Sequence, residues 1–240
     1  MIKHVQLIPI LLMKKLPNQN DFNKINMHIK KITTLVLIMI AFAAKAQHKF
    51  PINENGSRLK DFYLSLNVEN LWIAGHHINW QTGEQDNPNA EHGIHTHCSA
   101  FVAAACKKIN IYILRPPEHG QLLLANAQFD WLPTQEAKDD GWKPITERNV
   151  YAAAQRFANS GYVVVAIYKN PNPKIPGHVA LVMPDELSGQ KLEESGPALI
   201  MAGTHNHNHV SLKTGFKSHI SSWPETEILF YYNSNLPAIK

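Results

Sequence analysis

One short stretch of this chain carries the residue types of a nucleophilic site. Residues 93–106 read GIHTHCSAFVAAAC, and they hold Cys98 and Cys106, the two cysteines of the chain. The residues after Cys98 predict a helix over Ser99–Lys108, so Cys98 would lie at a helix N-terminus, where the dipole lowers a thiol pKa. Cys106 would lie two turns further on among apolar side chains, which is typical of an inert buried thiol. Cys98 is therefore the candidate nucleophile.

The same helix argues against a disulfide between the two cysteines. Eight helical residues separate their Cα atoms by about 12 Å, at ~1.5 Å rise per residue. A disulfide needs a Cα separation of roughly 4.4–6.8 Å. We expect two free thiols, even in an exported protein, where disulfides are common.

The best candidate for a base is His178, at the start of the apolar run HVALVM. Gly177 precedes it and permits a close backbone approach. An imidazole held at the head of a buried strand is placed to act as base towards a thiol. Side chains alternate along a strand, so His178, Ala180 and Val182 would share one face. The alternative is a solvent-facing histidine with no catalytic role.

The elements that would position these residues change character along the chain. The early part predicts helices, and the later part predicts β-branched or aromatic strands. The predicted helices span 57–71, 99–108, 121–131 and 146–159, and the predicted strands span 162–168, 178–183, 198–202 and 227–232. Ser57 and Thr146 are the expected helix starts, and 75–89 is an expected loop that carries Trp80. Helices followed by consecutive strands predict an α+β fold with an antiparallel sheet.

Three motifs in this order resemble a known family. HCSAFVAAAC, PGHVALV and MAGTHN resemble the papain-like NlpC/P60 and CHAP cysteine peptidases and amidases, which cut bacterial peptidoglycan. The resemblance spans roughly residues 72–216. It implies a papain-like fold, with N-terminal helices packed on a C-terminal antiparallel sheet. It also implies that a thiolate–imidazolium pair of Cys98 and His178 attacks an amide bond, in the stem peptide or between that peptide and the muramyl group. The implied partner is peptidoglycan or its peptide fragments, and no cofactor is implied.

The resemblance also implies a third polar residue that orients the imidazole, on or just after the next strand. Met201 stands on that strand and cannot accept a hydrogen bond from an imidazole N–H. We favour Asn206, because its amide oxygen accepts without adding a competing base; His205, a backbone carbonyl or a water are the alternatives. His97 and Trp80 are predicted to line the substrate cleft with it.

Two histidine clusters raise the alternative of a metal site. His95 and His97, and likewise His205, His207 and His209, alternate with other residues, which would place each set on one face of a strand. Zinc accepts such ligands, but HExxH is absent from the sequence. We predict no metal. The alternative function is a catalytically inactive, histidine-rich secreted module that binds metal or a partner on the same scaffold. Capture of the thioester by an amine, giving acyl transfer, is a third possibility.

The N-terminal residues have the layout of a secretory signal peptide. Lys30 and Lys31 precede the apolar run Ile32–Ala43, and Ala44-Lys45-Ala46 forms a small-x-small cleavage site. We expect translation to begin at Met27 and residues 1–46 to be a leader. Residues 47–240 would then be a single catalytic domain, periplasmic or secreted, without membrane attachment after cleavage.

The net positive charge of the chain comes from that predicted leader. Residues 1–46 hold seven of the 23 basic residues and one of the 19 acidic residues, so 16 basic and 18 acidic residues remain. A slightly acidic domain without a basic run has no electrostatic footprint for nucleic acid. We therefore expect no nucleic-acid partner.

Overall fold

A computed structural model describes residues 19–47, 49–87, 89 and 96–239. The chain divides into two units, residues 1–44 and 45–240. The first unit contributes most of helix α1 (Gln19–Gln47), which covers the apolar part of the predicted leader. None of the described helices combines the length and the apolar character needed to cross a membrane. Residues 1–18 of the predicted leader lie outside the described residues.

The second unit is built around a mixed set of helices and one antiparallel sheet. In the described residues the sheet has six strands, in the order β1-β6-β2-β3-β4-β5. The strands are β1 (Trp142–Pro144), β2 (Val164–Tyr168), β3 (His178–Val182), β4 (Ala198–Met201), β5 (His207–Ser211) and β6 (Leu229–Asn233). The helices are α2 (Glu54–Ser65), α3 (Cys98–Lys108), α4 (Leu124–Trp131), α5 (Gln135–Asp139), α6 (Val150–Asn159), α7 (Gly189–Ser195) and α8 (Leu212–Gly215). The predicted helices and antiparallel sheet are confirmed.

Side chains on the central strands alternate between two cores. The first core is formed with α2, α3 and α4 on one face of the sheet, and the second core with α6, α7 and α8 on the other. In β3, Val179 and Leu181 join the first core, whereas Ala180 and Val182 join the second. Because both faces are covered, β2 and β3 are apolar at nearly every position.

Several helix boundaries differ from the predicted ones because other polar side chains cap them. Helix α2 begins after Asn53, whose Oδ1 accepts a hydrogen bond from the Gly56 N–H at 2.8 Å, so Ser57 lies inside the helix. Helix α6 begins after Asn149, which caps the Ala152 N–H at 3.1 Å, and not at Thr146. The sequence patterns did not predict β1, β5, α5, α7 and α8, all of five residues or fewer except α7.

Candidate active site

Cys98 is the first residue of α3, as predicted. The preceding His97 makes no capping hydrogen bond to the first turn of the helix; its Nε2 instead lies 2.9 Å from the His76 carbonyl oxygen. The helix packs against β3 through a surface of small buried alanines. Cys98 is 3% exposed and Cys106 is fully buried, and both are free thiols. The prediction that they do not form a disulfide is confirmed.

The electrostatic environment of Cys98 favours the neutral thiol. Burial raises its pKa, and this outweighs the lowering by backbone N–H groups of Val179, Ser99 and Cys98 itself, which lie around the sulfur. The predicted lowering of the thiol pKa is therefore wrong for this arrangement. Burial raises the pKa of Cys106 to about 12; the Arg115 guanidinium opposes this only in part, and no backbone donor of the described residues contributes. Cys98 thus differs from Cys106 in having polarised N–H groups at its sulfur.

The start of β3 is fixed by a close approach and by a buried amide. A Cβ atom on Gly177 would lie 2.1 Å from the Tyr168 carbonyl oxygen, so only glycine fits there. Asn126 of α4 accepts a hydrogen bond from the Gly177 N–H at 2.8 Å and donates to the Ile175 carbonyl at 3.0 Å. These contacts hold the backbone at His178 against β2, opposite Tyr168.

The His178 imidazole packs among other rings on the second-core face. It stacks on His219 with centroids 4.9 Å apart and meets Phe216 edge-on at 4.6 Å. His178 is 4% exposed, and its buried Nε2 has no hydrogen-bond partner among the described residues. Burial, with a smaller contribution from His219, lowers the pKa of His178 to about 3. The ring is therefore neutral at physiological pH.

The structure brings Cys98 close to the backbone of His178 but does not pair their side chains. The Val179 N–H that lies at the Cys98 sulfur belongs to the peptide bond that follows His178. Strand alternation, however, turns the His178 ring towards the face opposite Cys98. Among the described residues, no hydrogen bond joins the sulfur to the imidazole.

Each side chain instead lines its own cavity, and the two cavities share Thr96 and Pro176. The cavity at Cys98 has a volume of about 300 Å³ and is bordered by apolar residues of the loop before α4 and by three histidines. Of these, His77 contacts Asp86, with Nδ1 and Oδ1 2.5 Å apart. His97 also lines this cavity, and its predicted role in binding the substrate stays a prediction.

The cavity at His178 is larger than the cavity at Cys98, and its lining is richer in histidine and lysine. Its volume is about 470 Å³, and five of its lining residues are histidine or lysine while none is acidic. These five are His178, His205, His207, Lys217 and His219. The glycines Gly203 and Gly215 open its wall, because neither carries a side chain.

Asn206 and Trp80 lie away from the positions expected of them. Asn206 Nδ2 donates to the carbonyls of Val68 and Leu71, each at 2.7 Å, and its Oδ1 accepts from the Gly203 N–H at 2.9 Å. The amide therefore ties the loop after β4 to the segment after α2, and it makes no hydrogen bond to His178. Trp80 lines neither cavity; its ring is half-buried against the first core, beneath the Lys107 ammonium at 5.2 Å.

The histidine clusters do not form a metal site in the described part of the chain, where no group of three potential ligands converges. His209 pairs with Asp185 at 2.8 Å, while His205 and His207 line the His178 cavity. His95 lies outside the described residues.

Sequence reasoning missed three residues that shape these cavities. His219, outside any predicted element, stacks on His178; Asn126 anchors the start of β3; and His77 pairs with Asp86 in the Cys98 cavity. The roles of His219 and Asn126 depend on contacts between segments far apart in sequence, so no local pattern identifies them, whereas His77 and Asp86 lie nine residues apart in one segment.

Comparison with models of known protein families gave no match to this chain, and comparison with curated proteins gave none either.

Proposed function

We propose that this protein is an exported cysteine hydrolase that cleaves an amide bond of peptidoglycan peptides, with Cys98 as nucleophile and a papain-like arrangement of α3 and β3. The main support for the proposal is the position of the Cys98 sulfur. It lies at the start of α3, beside a cavity, with the Val179 N–H next to it. The peptidoglycan substrate rests on the sequence resemblance.

In the proposed reaction the thiol proton passes to the His178 imidazole as the sulfur attacks the amide carbonyl carbon. The negative charge on the carbonyl oxygen is stabilised by backbone N–H at the start of α3, with that of Cys98 as a donor. The C–N bond then breaks and the leaving amine takes the proton from His178. Water hydrolyses the thioester, and the sulfur regains its proton.

This reaction requires a change from the arrangement described above. With a raised thiol pKa and a lowered imidazole pKa, both groups are neutral before substrate binds. A buried imidazole with so low a pKa is a weak base, so His178 acts as the general base only after its ring leaves this packing and its pKa rises. For direct transfer, the ring has to turn from His219 and Phe216 towards the shared wall at Thr96 and Pro176.

Digestion of purified sacculi by the full-length protein tests the proposal. Wild type should release soluble muropeptides, detected by mass spectrometry, and Cys98→Ala should release none. Cys106→Ala is the matched control, because it removes a buried thiol from the same helix and should keep activity. Digestion by a folded Cys98→Ala variant at the wild-type rate would rule out the proposal.

The alternative is an inactive histidine-rich binding module. It is favoured by one observation, the lack of a hydrogen bond between Cys98 and His178 among the described residues. Stoichiometric zinc in purified protein, with no digestion of sacculi and no alkylation of Cys98 by iodoacetamide, would support it.

A further inference from the structure

A carboxylate–histidine pair borders the Cys98 cavity and has no part in the first half of the proposed reaction. His77 lines the cavity together with Cys98, and its Nδ1 lies 2.5 Å from Asp86 Oδ1. Among the described residues, its Nε2 has no hydrogen-bond partner. An imidazole that donates its Nδ1–H to a carboxylate keeps the lone pair on Nε2, which is the form that a general base needs.

The pair is held in place by a small hairpin in the loop before α3. The Asp86 N–H donates to the His77 carbonyl at 3.3 Å, and the next two residues inward form an antiparallel bridge. The tip of the hairpin packs on Trp72, whose N–H donates to the Gly83 carbonyl at 2.8 Å. A Cβ atom on Gly83 would lie 2.4 Å from the Trp72 ring. The backbone therefore brings imidazole and carboxylate together before any substrate binds.

His77 differs in its contact with solvent from the other histidines that could serve Cys98. Its side chain is 54% exposed, whereas His97 is 8% exposed and has its Nε2 2.9 Å from the His76 carbonyl oxygen. His178 lines the other cavity, so its ring has to turn before it reaches the sulfur. His77 thus borders both the cavity of the nucleophile and bulk water without a rearrangement.

We propose that His77, oriented by Asp86, is the general base for the second half of the reaction, in which water hydrolyses the thioester on Cys98. This inference rests on the proposed function and deepens it by assigning a base to the attacking water. His77 Nε2 takes one proton from the water as its oxygen attacks the thioester carbonyl carbon. The C–S bond then breaks, and the sulfur takes that proton from His77. The products are a carboxylic acid and the free thiol.

The loss of this base has little effect on the turnover of an amide. An amide is far less reactive than a thioester, so formation of the thioester limits kcat on sacculi. With an activated ester the order is reversed, because the ester acylates the thiol quickly and hydrolysis of the thioester becomes rate-limiting. An activated ester therefore isolates the step that His77 assists.

Hydrolysis of p-nitrophenyl acetate by the full-length protein tests the proposal. Wild type should release a burst of p-nitrophenolate equal in amount to the enzyme, followed by a slower steady rate set by thioester hydrolysis. His77→Gln should still give the burst, but its steady rate should fall about 10²-fold. Mass spectrometry should then show an acetyl group that stays on Cys98 in this variant. A steady rate equal to that of wild type would overturn the proposal.

His209→Gln is the matched control for a histidine paired with a carboxylate. His209 is also 54% exposed, and its Nε2 lies 2.8 Å from Asp185 Oδ2, but it lies outside the Cys98 cavity. Its steady rate should equal that of wild type. A fall as large as that of His77→Gln would mean a general effect of surface charge, and would overturn the proposal.

Asp86→Asn tests the carboxylate as a positioning residue. An amide that donates to Nδ1 moves the ring proton to Nε2, where it blocks the base. The steady rate should fall, and the solvent isotope effect on that rate should fall with it, because the ring no longer takes the proton of water. A slower rate with the wild-type isotope effect would mean that Asp86 only holds the hairpin, and would overturn its orienting role.

The outcomes separate this inference from the proposed function. Digestion of sacculi by wild type, with equal steady ester rates in wild type and His77→Gln, would retain the hydrolase and remove the role of His77. The expected loss in His77→Gln without any digestion of sacculi would retain the role of His77 and remove peptidoglycan as the substrate. A burst that is absent from wild type, or kept in Cys98→Ala, would mean that no thioester forms on Cys98 and would overturn both proposals.

Discussion

The cavities at Cys98 and His178 adjoin, but they are built from opposite faces of one sheet. Cys98 belongs to the first core, and its cavity is bordered largely by apolar side chains. His178 lies on the same face of β3 as the second-core residues Ala180 and Val182, and its cavity is lined by four histidines and one lysine. The fold therefore brings the Cys98 sulfur to the backbone N–H of Val179, the residue after His178. Strand alternation nevertheless places the His178 imidazole on the opposite face of the sheet.

The largest effect on kcat is expected from removing the general base, and it shows whether that base lies on the Cys98 side or the His178 side of the sheet. His178→Gln should reduce kcat by about 10²–10⁴-fold, the usual contribution of a general base. His77→Gln, on the Cys98 side, should change kcat by much less, although His77 has a carboxylate partner in Asp86. Rates of muropeptide release by the purified variants measure both. The reverse order of effects would assign the base to His77.

The pH dependence of stability tests the burial of the His178 ring. Its pKa is about 3 in the folded protein against 6.5 when unperturbed, so the unfolded chain binds more protons between these values. Above about pH 6.5, where the imidazole is neutral in both the folded and the unfolded chain, protonation of His178 takes nothing from the free energy of unfolding. It should fall as the pH drops towards 3, by up to about 1.4 kcal/mol per pH unit from this group. Urea unfolding at several pH values measures the slope.

His178→Phe should flatten that slope, because it removes the group whose folded and unfolded pKa values differ. His219→Asn should flatten it less, since burial lowers the pKa of His219 as well. If the free energy of unfolding of His178→Phe depended on pH as steeply as that of wild type, the His178 ring would be solvated and not buried.

A pair of glycine variants tests the close approach that fixes the start of β3. Gly177→Ala should destabilise the fold by about 1–3 kcal/mol, because the new Cβ collides with the Tyr168 carbonyl oxygen. Gly120→Ala is the control, since no described atom lies within 4 Å of the place its Cβ would occupy, and its effect should stay within about 0.5 kcal/mol. Thermal unfolding measures both, and equal effects would contradict the contact.

The smallest effect on catalysis is expected at Asn206. Replacement by alanine removes hydrogen bonds to Val68, Leu71 and Gly203, so stability should fall by about 1–3 kcal/mol. The pH profile of kcat should stay as in wild type if the amide only ties the backbone. A shifted profile would instead support the predicted role of Asn206 in orienting His178.

Local sequence patterns predicted much of this fold. The start of α3 at Cys98 follows from the small apolar run after a polar stretch, and β2 and β3 follow from continuous β-branched residues. Short elements such as β5 and α8 were missed because a few polar residues carry little periodic signal. Asn53 and Asn149, and not Ser57 and Thr146, cap their helices, because each helix has more than one candidate cap near its start and the sequence does not distinguish between them.

The order of neighbouring residues was enough to establish which cysteine begins a helix, which histidine begins a buried strand, and that the two thiols stay apart. Those properties depend on fixed helix and strand geometry. The protonation state and the orientation of the Cys98 and His178 side chains instead depend on tertiary packing. Burial sets the pKa values of Cys98 and His178. The packing of His219 and Phe216 against the His178 ring sets its orientation, through contacts between distant segments.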